Sequence, residues 1–262
     1  MEHNLFDSHA HYDDERFDDD RDAVLSALPG QGIVGVVNAA SDLGSSRAGL
    51  ELSARYPFLW FAAGVHPHEA QHAPQDYLDQ ISTLLREPKA VALGEIGLDY
   101  HYDFSPRDVQ RRVFEQQLAL AKELDKPVII HDREAHGETL ELLKKYRPKG
   151  VVHCFSGSAE MATEVSKLGL YVGFTGVITF KNAKKTVAAA AAVPQDRLLI
   201  ETDCPYMAPE PYRGRRCDSS MLEYTARGLA QARATTIQEI IRTTCANACA
   251  LFGISLGSTV QD

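Results

Sequence analysis

The chain has one tryptophan, five cysteines and fewer basic than acidic residues. Each shortage excludes something. The cysteines are Cys154, Cys204, Cys217, Cys245 and Cys249. Their number is odd and no pair has CxxC or zinc-finger spacing, so a disulfide framework and a thiolate zinc site are both set aside in favour of reduced thiols. Lys and Arg total 27 against 36 Asp and Glu, a formal charge of −9. That balance argues against binding along a duplex, which rests on cations neutralising phosphates. No apolar run approaches membrane-spanning length. The chain passes almost directly from Met1 into an apparent strand at Leu5–Phe6, so a secretory signal is not expected. A cytoplasmic protein with no membrane attachment is expected, and no protein partner is evident.

What is present is a repeated unit. Short Val/Ile/Leu/Ala runs alternate with longer helical patterns: Leu5–Asp7, Ile33–Ala39, Leu59–Val65, Ala90–Gly94, Pro127–Ile130, Gly150–Val152, Leu170–Phe174 and Leu198–Ile200. Most lack polar alternation, as parallel strands buried on both faces do. Ser105 and Pro106 open a helix over Arg107–Leu124, Asn182 precedes the alanine-rich run Ala183–Ala192, and Thr236 with Glu239 makes a capping box for a last helix that Gly253 stops. Eight strand–helix units predict a (β/α)8 TIM barrel, a single domain over residues 1–262 with an additional C-terminal helix and a frayed tail at Ser255–Asp262. An open doubly wound sheet would need a Gly-rich loop after its first strand, and none is there.

The metal-capable residues fall at matching places. His9 and His11 follow strand one; Glu95 ends strand four, His131 strand five, His153 strand six and Asp203 strand eight. In such a barrel these positions face the C-terminal rim, where active sites sit. Buried ionisable groups are costly unless paired or bound to metal, so six at one rim point to a metal centre. Nitrogen and carboxylate donors suit Zn²⁺, Mn²⁺, Mg²⁺ or Fe²⁺. Six ligands exceed the need of one four-coordinate ion, so two divalent cations are expected. His9, His11 and Asp203 would hold one, His131 and His153 the other, with Glu95 bridging. A bridging hydroxide would be the nucleophile, with Asp203 orienting that water and taking its proton.

The chain resembles the TatD family of metal-dependent deoxyribonucleases. The matching stretches are FDSHAH at 6–11, GVHPH at 64–68, GEIGLDY at 94–100, HDR at 131–133, HCFSG at 153–157, TFKN at 179–182, ETDCPY at 201–206 and PYRG at 211–214. They run in the family's order over almost the whole chain. The resemblance implies a metal-dependent TIM-barrel hydrolase acting on DNA, single-stranded or at 3′ ends, in the 3′-5′ direction, with the same six ligands. The chain departs from the family after Arg213-Gly214: Cys217 and Ser219 stand where Asn and Pro are usual, which bears on the loop after strand eight.

Several further residues are candidates beside the ligands. Glu201 faces the barrel interior, where it orients a ligand, holds a further metal, or pairs with a basic group. Arg133 suits a bidentate grip on a phosphate, or a salt bridge to a ligand carboxylate. His66 is expected to touch substrate, and His68 either does so or is merely exposed. Asp99 and Tyr100 read as structural. Lys181 is placed to contact a phosphate and Phe180 to stack on a base or enter the core, while Arg213, Arg215 and Arg216 form a basic cluster on the same side. Two competing readings are a hydrolase of a non-nucleic ester or amide on the same barrel, and a non-catalytic binding protein with a relic metal site.

Overall fold

A computed structural model describes residues 4–256. Eight parallel strands run in chain order around one sheet: β1 (Leu5–Ala10), β2 (Ile33–Asn38), β3 (Leu59–Ala63), β4 (Ala90–Asp99), β5 (Val128–Arg133), β6 (Gly150–Val152), β7 (Tyr171–Phe174) and β8 (Leu198–Ile200). Nine α-helices follow among the described residues: α1 (Arg21–Ala27), α2 (Leu43–Arg55), α3 (Tyr77–Leu84), α4 (Arg107–Glu123), α5 (His136–Tyr146), α6 (Ala159–Lys167), α7 (Lys184–Ala192), α8 (Leu222–Ala232) and α9 (Ile237–Phe252). The expected (β/α)8 barrel with an extra C-terminal helix is what the chain forms. Its apolar runs explain the strands: all ten residues of β4 are buried, as a strand covered on both faces requires.

Side chains alternate between the faces of a strand. Phe6, Val37, Ala62, Ala92, Ile129, Val151 and Leu199 join one cluster with Cys245, Ala248 and Phe252 of α9. This cluster fills the lower barrel, and α9 closes it from below. The Asn247 side chain in α9 donates to the carbonyl of Leu198, where β8 begins, at 2.9 Å. Two positions beyond Ile129, Val151 and Leu199 stand His131, His153 and Glu201. The same inward face that carries the core at the bottom therefore carries chemistry at the top.

The seam between β1 and β8 has no regular strand pairing. It is closed by Asp203 N donating to His9 O at 2.9 Å and His11 N donating to Cys204 O at 2.8 Å, with one isolated bridge between Ala10 and Cys204. The buried Asp7 carboxylate reinforces it, accepting from Thr202 N (2.9 Å), Thr202 Oγ1 (2.6 Å) and Ser219 Oγ (2.7 Å).

Some boundaries differ from expectation. β4 does not end at Gly94: it continues through Glu95 to Asp99, and β5 continues through His131 to Arg133. Gly97 permits this. Its φ is +152°, and a Cβ there would meet the His131 carbonyl oxygen at 1.9 Å, so only glycine lets β4 run this close to β5. Ser105 does not cap α4: Pro106 is the cap residue, and Ser105 Oγ instead donates to the His68 carbonyl at 2.9 Å. Thr236 caps α9 through Glu239 N, but the Glu239 carboxylate turns to Arg242, so only half of the capping box forms. Ala183 caps α7 rather than opening it. Of the expected tail, Ser255 and Leu256 lie within the described residues, and 257–262 lie outside them. Among the described residues no helix is long and apolar enough to cross a membrane.

Candidate metal centre

The six expected ligands converge at the top of the barrel. His9 Nε2 and His11 Nε2 face each other at 3.0 Å. His9 Nε2 is 3.2 Å from Glu95 Oε2 and 3.6 Å from Asp203 Oδ1. His11 Nε2 is 3.5 Å from each of the same two oxygens. Donors about 2.0–2.2 Å from a tetrahedral cation stand roughly 3.3–3.5 Å from one another. Five of the six edges of that figure are thus accounted for by distances of 3.0 to 3.6 Å. Without a cation, two imidazole nitrogens would confront each other with at most one shared proton. The donor set fits a divalent metal.

The other oxygen of Glu95 serves a second group. Its Oε1 lies 2.6 Å from His153 Nε2, 2.7 Å from His131 Nδ1 and 3.4 Å from His66 Nε2. His131 Nδ1 and His153 Nε2 are 3.5 Å apart. His66, expected only to touch substrate, is buried here and stands among the groups able to ligate, with Glu95 and His131.

Oxygen atoms stand behind His11, His131 and His153, whereas His9 Nδ1 is buried without a hydrogen-bond partner among the described residues. His11 Nδ1 faces the Ala39 carbonyl at 3.1 Å. His131 Nε2 faces Asp99 Oδ2 at 3.1 Å, and the same oxygen takes His68 Nε2 at 2.8 Å. His153 Nδ1 lies 3.5 Å from Glu201 Oε1. A carbonyl or carboxylate behind an imidazole fixes which nitrogen points forward and how basic it is. Glu201 itself is fully buried, accepting from Ser8 Oγ at 3.1 Å and from Cys154 N. Gly173 makes room for it: a Cβ there would meet Glu201 Oε2 at 2.4 Å. Asp203 reaches inward from a left-handed backbone, φ 57°, and Cys154 beside His153 has φ 42°. Both conformations are unfavourable for residues with a side chain and persist only where the surroundings impose them.

The electrostatics favour a cation. Burial alone would push the Glu95 carboxyl up, but the surrounding imidazoles, His153 first, outweigh it and hold the carboxyl well below its ordinary range. Asp203 is likewise pushed up by burial and pulled further down by His11, His9 and His153. Burial lowers His11, yet Asp203 and Glu95 raise it to about 9. His153 is raised for the same kind of reason, by Glu95 and Glu201 against its burial. Burial wins at His66, which falls to about 3. The site is a set of ionised carboxylates that draws positive charge, and protons compete with metal for it.

A cavity of about 430 Å³ opens above the centre. Arg133 lines it, with no acidic partner among the described residues; the salt bridge to a ligand carboxylate, one of its two expected roles, is not formed. Lys181 and Arg213 do not line it. Arg213 lies over the Phe180 ring at 4.3 Å, Arg215 over Tyr212 at 5.8 Å, and Arg216 pairs with Asp20 at 2.6 Å. The expected basic cluster is therefore divided among three local partners. Sequence reasoning missed Ser41, Tyr102, Phe104, Tyr206 and Met207, which also line the cavity. Nothing in their spacing marked them in the sequence. The two departures from the family pattern are absorbed internally. Cys217 is buried, and Ser219 is buried with its Oγ between Tyr12 OH (2.8 Å) and Asp7 (2.7 Å).

Fold and centre together define a β/α-barrel metal-dependent hydrolase. The family model for TatD related DNase matches residues 6–253. An uncharacterized metal-dependent hydrolase of Bacillus subtilis, YabD, is 41% identical over 254 residues, covering 96% of this chain and 100% of that one. The 3′-5′ ssDNA/RNA exonuclease TatD of Klebsiella pneumoniae is 35% identical, covering 96% of this chain and 99% of its own. The crystal structure of YjjV, a TatD homologue from Escherichia coli, superposes with a TM-score of 0.91 at 32% identity, covering 97% and 100%. The chain belongs to the TatD family of nucleases, and it is a metal-dependent hydrolase of that family.

Proposed function

We propose that this chain is a phosphodiesterase that removes nucleotides from 3′ ends of single-stranded DNA, using two divalent cations. The observation that carries the reading is the division of Glu95: Oε2 belongs to the group of His9, His11 and Asp203, and Oε1 to the group of His131 and His153. One carboxylate serving two sets of donors suits a pair of ions. Cations bound there supply Lewis acidity toward a phosphoryl oxygen and acidify a water, which is what diester hydrolysis needs.

The chain's own residues do the rest. His11, His131 and His153 are turned forward by Ala39 O, Asp99 and Glu201. Asp203, held ionised by its neighbours, accepts a hydrogen bond from a water and orients it. Its lowered basicity suits positioning and metal ligation better than storing a proton. Arg133, without an acidic partner, grips a phosphate oxygen in the cavity. His66 joins the second cation group, and the buried Glu201 supports His153. Lys181 and Arg213, outside the cavity, meet only strand beyond the reacting nucleotide. We place the enzyme in the cytoplasm, consistent with its free thiols.

The test is hydrolysis of 5′-labelled single-stranded and duplex DNA by metal-stripped protein, with Mg²⁺, Mn²⁺ or Zn²⁺ restored singly. A ladder shortening from the 3′ end, dependent on metal and faster on single strands, is the expected result. Intact DNA under every metal, with folded and metal-loaded protein, overturns the nuclease reading and moves the substrate to a non-nucleic ester or amide.

A further inference from the structure

Among the described residues, only four large apolar side chains are exposed: Tyr102, Phe104, Tyr206 and Val187. Three of the four line the mouth of the metal cavity. Single exposed apolar residues need no explanation, but their concentration at one opening does.

Tyr102 and Phe104 form one surface. Their ring centroids are 5.4 Å apart with 29° between the planes, and the residues are 53% and 59% exposed. His68 meets the Phe104 ring edge-on at 4.7 Å and is itself held by Asp99, the residue behind His131. The ledge is thus one histidine away from the donors around Glu95.

The loop carrying these rings is braced. Asp99 Oδ1 accepts from His101 N at 3.0 Å and Tyr102 N at 2.9 Å. Gln71 Nε2 donates to the Phe104 carbonyl at 2.9 Å, and Arg107 pairs with Asp103 at 2.6 Å. Two aromatic faces are held in water by a rigid loop, where they contribute little to folding. A ligand that covers them gains that area without first ordering the loop.

We propose that Tyr102 and Phe104 are a stacking ledge for an unpaired nucleobase of the strand whose phosphodiester lies over Glu95. This rests on the nuclease reading. A flat π face is what two near-parallel rings accept, and base–aromatic stacking tolerates any base. A phosphate belongs beside the ledge because Arg133 and the ionised metal donors lie in the same cavity. Bases within a duplex already cover one another, so the ledge selects single strands or frayed ends. The acidic chain, with its net charge of −9, gives no alternative grip along a duplex.

The test is a double-mutant cycle with the metal-loaded enzyme. Single-stranded oligonucleotides carry one abasic residue, stepped away from the 3′ end. Phe104→Ala and Tyr102→Ala each raise KM for the intact strand roughly tenfold, the size of one lost stack, with a smaller change in kcat. With the abasic residue at the position that meets the ledge, the same substitutions add less than about twofold, because the partner is already gone. Phe104→Trp restores KM on the intact strand. An equal loss at every abasic position, with 3′ hydrolysis intact, overturns the ledge alone. No hydrolysis of any strand by the wild-type enzyme overturns the nuclease reading and the ledge with it.

Discussion

Asp99 holds His131 from behind: its Oδ2 lies 3.1 Å from His131 Nε2, while His131 Nδ1 faces Glu95 Oε1 at 2.7 Å. Burial would push the Asp99 carboxyl up, but His131 and His68 hold it far below the ordinary carboxylate range. An ionised acceptor there fixes the imidazole and strengthens its donor nitrogen. Asp99→Ala is expected to lower metal affinity or activity by about 10–100-fold, with unchanged circular dichroism. Calorimetric metal titration checks it, and an unaltered affinity with unaltered turnover removes the role.

Glu95 belongs to both donor groups, so its loss affects both. Glu95→Ala is expected to lower turnover by about a thousandfold or more, several kcal/mol of charge stabilisation at roughly 1.4 kcal/mol per decade. Metal at about 100 times its dissociation constant should stabilise the wild-type protein by about 2.7 kcal/mol, a rise of several degrees in Tm for a chain of this size. The variant should show little of that rise. A normal metal-induced shift in Glu95→Ala contradicts the shared carboxylate.

His11 sets a pH dependence. Its pKa is raised from 6.5 to about 9, so the metal-free protein keeps this proton throughout that interval. Coordination through Nε2 requires its removal. Metal affinity should therefore rise with pH up to about 9, by up to about tenfold per unit from this group, with one proton released from His11 on binding and further release from His131 and His153, which are also raised. His66, lowered to about 3, has no proton to release there. Calorimetry in two buffers of different ionisation enthalpy measures the release. For the metal-free fold the sign is opposite: the stabilisation from His11 is complete below 6.5 and fades as pH rises through 9.

Ser219 Oγ lies between Tyr12 OH and the Asp7 carboxylate, all buried. Ser219→Ala leaves both partners short of a hydrogen bond and is expected to cost about 1–3 kcal/mol. Chemical denaturation with linear extrapolation reads this directly. An unchanged midpoint would mean that Asp7 is satisfied by Thr202 alone.

The barrel and the convergence of the candidate ligands were legible because two periodicities coincide. Val128–Ile130 and Gly150–Val152 announce buried strands, and the inward-facing positions run straight on to His131 and His153. Asp99 was harder to see, because β4 ran past the apparent end at Gly94 on the strength of one glycine, Gly97, lying against β5. His66 read as a substrate contact because nothing local reveals its approach to Glu95. Arg213 and Arg216 looked like one basic patch, but Phe180 and Asp20, distant in sequence, draw them apart. Tyr102 and Phe104 carried no signal in their spacing, since a loop's aim is set by the contacts that brace it.

The hydrogen bonds that join β8 to β1 involve His9, His11 and Asp203 themselves. Ring closure and ligand assembly are therefore one event, joining residues separated by most of the chain. A growing polypeptide has no complete donor set until Asp203 has been made and has returned to its opposite end. On the proposed donor set, catalytic competence would arrive late in synthesis, and a chain cut short before that point would lack the bonds that close the ring.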